Sequence, residues 1–134
     1  MIAPGPDPES MVVQLQSGER IHYLAWPGTW SEPGEQGAPR VPGRPGVPGV
    51  PGRPGVPIVL IHGLTRTAWT WLPIGRRLAA RHPIVAPDLR GHGASDAPLT
   101  GYELESLALD VLTVVAGAGW GEAVDGPPVV LAGH

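Results

Sequence analysis

Three short apolar runs constrain this chain more than any other feature: IVLI at 58–61, IVAP at 84–87 and VVLA at 129–132. None alternates apolar with polar residues, so each reads as a strand buried on both faces, as in a parallel sheet. Each run also stops abruptly, at His62-Gly63, at Asp88 and at Gly133-His134. Parallel strands need crossover connections, and the intervening segments have helical character. Residues 69–81 predict a helix with Thr70 as its cap and Pro73 in the first turn, with Trp71, Ile74, Leu78 and Ala79 on one face. Leu104, Leu107, Ala108, Val111, Leu112 and Val115 follow helical spacing and predict a second helix, closed by Gly117 and Gly119.

Upstream, residues 11–15 and 21–26 are β-forming runs separated by Ser17-Gly18, a hairpin signal. Val12, Val13, Leu15, Ile21, Tyr23 and Leu24 would supply its packed face. The expected fold class is therefore α/β: an N-terminal β-hairpin, then a mostly parallel sheet with right-handed crossover helices. Residues 1–10 are Pro-rich and read as a disordered N-terminus, which leaves 11–134 as one domain. It is interrupted at 28–56 by a Pro/Gly-rich segment, in which glycine recurs at every third position at 34 and 37 and again at 43, 46, 49, 52 and 55. Glycine at every third residue is the collagen pattern, but the run is short, broken at Arg40 and set between two strands. It reads instead as a disordered polyproline-like surface loop.

Composition narrows the function classes. Nine basic residues, all Arg and scattered, face twelve acidic ones, so nucleic acid is not an expected partner. Cysteine is missing, which removes disulfides, thiol nucleophiles and Cys-ligated metals. No leader pattern or long apolar run is visible, so the expectation is an unexported, cytoplasmic protein with no membrane association.

Chemistry in open α/β sheets gathers at the carboxyl ends of the strands. Here those ends carry His62-Gly63-Leu64, the loop Asp88-Leu89-Arg90-Gly91-His92-Gly93-Ala94-Ser95-Asp96, and Gly133-His134. Together they resemble the α/β-hydrolase fold family: the His-Gly turn after the third strand, the Asp-x-x-Gly-x-Gly-x-Ser loop after the fourth, and the opening Gly-x of the Gly-x-Ser-x-Gly nucleophile elbow. The resemblance spans residues 11–134 apart from the Pro/Gly segment and covers about the first half of a family member.

What the resemblance implies is a partial α/β-hydrolase fold, with a strand order of 1-2-4-3-5, whose nucleophile would follow His134. The acid and the catalytic His would lie further on. By itself the chain is then expected to lack esterase activity. The part of the machinery it retains would be one oxyanion-hole donor, the backbone N–H of Leu64, with Gly63 and His62 supporting the turn. The parent would hydrolyse carboxylic esters or related acyl substrates, small molecules, with no cofactor and no metal. Other chemistries of the family are the alternative: epoxide hydrolysis, carbon–carbon bond hydrolysis or perhydrolysis, some with Asp as nucleophile. Thr65, where epoxide hydrolases usually carry Pro, and Leu64, where many dehalogenases carry Asn, weigh against those two. A non-catalytic half-domain or binding module is the rival class, and self-association or capture of a complementary C-terminal half are the partners it suggests.

Several residues invite other readings. Ser95 imitates a nucleophile in Gly93-Ala94-Ser95, but it lies in a loop well past its strand and suits a structural role. Gly91-His92-Gly93 lacks the third glycine and the acidic strand end of a dinucleotide site. The five His residues form no ligand pair of metal-site spacing. Trp69 and Trp71 suit a substrate pocket or the core equally. Asp88 and Arg90 are expected to fix their loop by hydrogen bonds and an ion pair.

Overall fold

The computed structural model describes residues 5–26, 55–120 and 128–134. The expectation of disorder at 28–56 falls, for residues 28–54, outside the described residues. Gly55 and Val56 are tied in: Gly55 N–H donates to the Arg81 carbonyl at 2.6 Å, and the Val56 carbonyl is bonded by His82 Nδ1 at 2.9 Å.

Five strands form one mixed sheet: β1 (Glu9–Gln14), β2 (Arg20–Trp26), β3 (Ile58–Ile61), β4 (Ile84–Pro87) and β5 (Val130–Gly133), in the order β1-β2-β4-β3-β5. β1 and β2 are the expected antiparallel hairpin, β2 joins β4 antiparallel, and β3 runs parallel to both β4 and β5. A single turn of 3-10 helix (Ala68–Trp71) leads into helix α1 (Leu72–Leu78), and α2 (Leu104–Gly117) precedes β5.

Alternation along the strands divides the core into two layers, because successive side chains point to opposite faces. Ile21, Tyr23, Val59 and Val85 pack with Val111, Val114, Val115 and Trp120 on the α2 side. Leu24, Trp26, Ile58, Leu60, Ile84 and Ala86 pack with Ala68, Trp71 and Ala79 on the α1 side. The sheet is thus sandwiched between helices, and the apolar runs at 58–61 and 84–87 lack alternation because both of their faces are covered.

The structure corrects several sequence expectations. Glu9 and Ser10 are strand residues, paired with Ala25 and Leu24, so order begins inside the stretch read as a disordered N-terminus. Asp7 adds an ion pair to Arg76. Val12 is exposed because it lies on the outer strand of the hairpin, where no helix covers it. The first helix is shorter than 69–81, and Thr70 does not cap it. Its inward position is Gly75 in place of Ile74, because the Trp26 indole lies against the helix where a Gly75 Cβ would meet it at 2.3 Å.

α2 is rotated from its predicted face. Leu104 is 80% exposed, Ala108 and Leu112 also face outward, and Asp110, Val111, Val114 and Val115 are buried. Asp110 turns inward to reach Arg90, and the helix turns with it. β5 begins one residue later than expected and is not buried: it is the outer strand of the described sheet, with Val130 and Leu131 exposed.

Candidate active site

Because β3, β4 and β5 are parallel, their carboxyl ends meet along one edge of the sheet. β3 and β5 are in register there, Ile61 opposite Gly133, and His134 N–H donates to the Ile61 carbonyl at 3.2 Å. A Cβ added to Gly63 would sit 2.2 Å from the His134 carbonyl oxygen. Only glycine fits, so the turn after β3 and the end of β5 lie backbone against backbone.

Gly63, Leu64, Thr65 and Arg66 form a turn closed by Arg66 N–H to the Gly63 carbonyl at 3.1 Å. Thr65 has φ +66°, whereas Leu64 does not have positive φ, the combination that defines a type II turn. The Gly63 carbonyl has a second partner, His62 Nδ1 at 2.9 Å. His62 Nε2 accepts the Leu89 N–H at 3.0 Å, which leaves the ring proton on Nδ1 and makes that nitrogen the donor to Gly63. A trans peptide holds its N–H opposite its carbonyl. Two bonds on the Gly63 oxygen therefore fix the direction of the Leu64 N–H, and no acceptor among the described residues takes that proton. The Leu64 residue is 84% exposed.

His62 itself is buried and lies beside His92, ring centroids 5.0 Å apart. It ties the turn after β3 to the loop after β4. That loop is built on Asp88, which is 1% exposed. Asp88 Oδ1 accepts the Ala68 N–H at 2.7 Å, and Oδ2 accepts the Ala94 N–H at 3.0 Å and bonds His22 Nδ1 at 2.7 Å. Gly93, at φ +53°, leaves room for the carboxylate, since a Cβ there would be 2.2 Å from Oδ2. Ser95 Oγ donates to the Asp88 carbonyl at 2.6 Å and accepts the His22 N–H at 2.9 Å. Its role is to lock the loop to β2.

Asp96 ends the loop by accepting from the Arg20 backbone N–H and guanidinium at 2.9 and 3.0 Å, and those hydrogen bonds hold its carboxyl below the usual range. Arg90 bonds Asp110 through two nitrogens at 2.6 and 2.7 Å and the Gly101 carbonyl at 2.6 Å. The bonds to Asp110 raise its already high pKa against the opposing effect of burial. Asp88 and Arg90 thus each anchor the loop, but with His22 and Asp110 and not with each other. The sequence reading missed those two partners; an Asp among the apolar positions of a helix was the available signal for Asp110. Trp71 belongs to the core, whereas Trp69 is half exposed. Among the described residues no group of three or more His, Asp and Glu could hold a metal ion, and no helix is long and apolar enough to cross a membrane.

The sequence profile of the Alpha/beta hydrolase family matches residues 58–134, the stretch that contains all three strand ends. The chain belongs to the alpha/beta hydrolase family. Among its relatives, the soluble epoxide hydrolase of Corynebacterium sp. (strain C12) is 38% identical over 63 residues, covering 47% of this chain and 22% of that protein. The 2-(acetamidomethylene)succinate hydrolase of Mesorhizobium japonicum is 36% identical over 67 residues, covering 50% of this chain and 24% of that protein. The solved structure of the epoxide hydrolase CorEH superposes with a TM-score of 0.64 at 26% identity, covering 96% of this chain and 34% of that one. This alpha/beta hydrolase chain therefore spans about a fifth to a third of these proteins. Its strand order is the one the resemblance implied. Epoxide hydrolases stand among its relatives although Thr65 weighed against that branch.

Proposed function

We propose that these residues form the oxyanion side of a hydrolase site, with Leu64 N–H as one of the donors and the nucleophile carried by an elbow that opens at Gly133-His134. The observation behind this reading is the doubly anchored Gly63 carbonyl, which directs an unclaimed N–H beside the end of β5. A donor fixed before the reaction stabilises developing charge without having to reorganise. His62 and Gly63 are the residues that position it, and neither contributes a reacting atom.

Esters and related acyl substrates suit such a donor, because attack on their carbonyl places negative charge on oxygen. Epoxide hydrolysis is the second reading, favoured by the relatives of that activity. A carboxylate nucleophile opening an epoxide leaves an enzyme-bound ester, and water attacking that ester forms an oxyanion again. Leu64 serves both routes, so the identity of the nucleophile separates them: Ser for acyl transfer, Asp for ring opening. The outer edge of β5 is where the next strand of a protein of the relatives' length would pair.

The coding sequence after codon 134 gives the first test, since Ser-x-Gly or Asp-x-Gly there supports the reading and names the branch. In the protein that carries such an elbow, Leu64→Pro removes the N–H at a turn position whose φ proline matches. The expected outcome is a kcat lower by about 10²–10³-fold with folding intact, against little change for Leu64→Ala, which keeps the donor. Equal rates for the two variants would remove Leu64 from the mechanism.

A further inference from the structure

Away from that turn, β1, β2 and the end of β4 bring Ser10, His22 and Asp88 into a line. Ser10 Oγ lies 2.5 Å from His22 Nε2, and His22 Nδ1 lies 2.7 Å from Asp88 Oδ2. The hairpin register creates the first contact: Ser10 is opposite Leu24 and Val12 opposite His22, so Ser10 and His22 are diagonal neighbours on one face. The start of β2 beside the end of β4 creates the second, and Asp88 N–H donates to the His22 carbonyl at 2.8 Å.

The direction of each bond follows from what the groups can do. Asp88 already accepts the Ala68 and Ala94 N–H groups, and as an ionised carboxylate it has only acceptors to offer, so His22 Nδ1 is the donor to it. The lone pair of neutral His22 is then on Nε2, facing Ser10, whose hydroxyl donates. His22 and Asp88 are buried and Ser10 is exposed, so the base and its orienting carboxylate are held fixed while the hydroxyl is open to a reagent. Hydroxyl, imidazole and carboxylate in this sequence are the components of an activated nucleophile.

We propose that Ser10 is a base-activated hydroxyl that accepts an acyl group from activated esters, independently of the Leu64 turn. In that step Ser10 Oγ bonds the carbonyl carbon and the carbon–oxygen bond to the leaving group breaks. The hydroxyl proton moves to His22 Nε2 and from there to the departing oxygen or to solvent. Asp88 stabilises the imidazolium that forms between those transfers. The product is an ester on Ser10 and the free alcohol or phenol of the reagent.

The test uses the chain itself with p-nitrophenyl acetate, following p-nitrophenolate release and locating the acetyl group by peptide mass spectrometry. Ser17, exposed on the same hairpin with no His partner, is the internal reference. The expected result is acetylation of Ser10 faster than of Ser17 by about 10²-fold, the scale of general-base assistance, with the difference lost in urea. Ser10→Ala should abolish the rapid release without altering the melting curve, and His22→Gln should bring Ser10 down to the rate of Ser17. Leu64→Pro should leave Ser10 acetylation unchanged, which separates this proposal from the oxyanion reading. Similar native rates at Ser10 and Ser17, or rapid release that survives Ser10→Ala, would overturn it; the first of these needs no variant to fold.

Discussion

Thr65 is the residue at which local cost and local use are most clearly opposed. A β-branched side chain at φ +66° is held in a region that costs an L-residue roughly 1–2 kcal/mol, and the turn keeps it there because Arg66 N–H closes onto Gly63. Asn tolerates this conformation, so Thr65→Asn should raise the unfolding free energy by about 1 kcal/mol at most. Proline, with φ near −65°, cannot adopt it, and Thr65→Pro should lower the melting temperature sharply. Thermal unfolding of the two variants checks both signs, and a Thr65→Pro chain as stable as the parent would mean that the type II turn is wrongly drawn. The turn to which Thr65 belongs is therefore one that proline at this position could not build.

Helix α2 shows what was and was not legible in the sequence. Its existence and length follow from the 3.6-residue recurrence of apolar side chains, and the strands follow equally from their unbroken apolar runs. Which face points inward does not follow, because Leu104, Leu107, Ala108, Leu109, Val111, Leu112, Val114 and Val115 make two overlapping stripes. The choice between them rests on a single long-range ion pair. Arg90 and Asp110 are buried and bonded through two nitrogens, and burying Asp110 rotates Leu104 and Leu112 outward. The strand-end turns were legible because glycine and histidine at strand ends are local signals. The partners that hold them were not, since Ser95 to His22 and Asp88 to Ala68 are contacts between elements.

Removing one member of the Arg90–Asp110 pair leaves a buried charge without compensation, so Asp110→Ala should cost about 3–5 kcal/mol. Replacing both with apolar residues, as in Arg90→Met with Asp110→Leu, should recover most of that loss, because the paired charges gain little net stability over a well-packed apolar pair. Urea unfolding of the single and double variants measures the coupling. Full additivity would show that the pair does not set the rotation of α2.

At the scale of the whole molecule, the two ends of the sheet differ. β1 closes one end, with Glu9, Ser10 and Gln14 flanking its exposed Met11 and Val12. β5 forms the other end, pairing with β3 on one side among the described residues, and its four residues, Val-Leu-Ala-Gly, include no charge and no proline. Leu131 is 63% exposed. An uncharged, apolar outer strand presents unpaired backbone groups to any other strand, and proteins ordinarily guard such an edge with lysine, proline or a bulge. The outward Leu104, Leu109 and Leu112 of α2 add apolar surface elsewhere on the molecule. The chain of 134 residues should therefore associate in solution through β5, and sedimentation velocity over a concentration series should show the average mass rising with concentration. Leu131→Lys places a charge on the edge without touching the two core layers, to which Leu131 does not belong, and should return the chain to a monomer with its circular dichroism unchanged. A chain that sediments as a monomer at every concentration, with slow hydrogen exchange at residues 130–132, would show that β5 is protected by its own protein and that the edge is not a site of association.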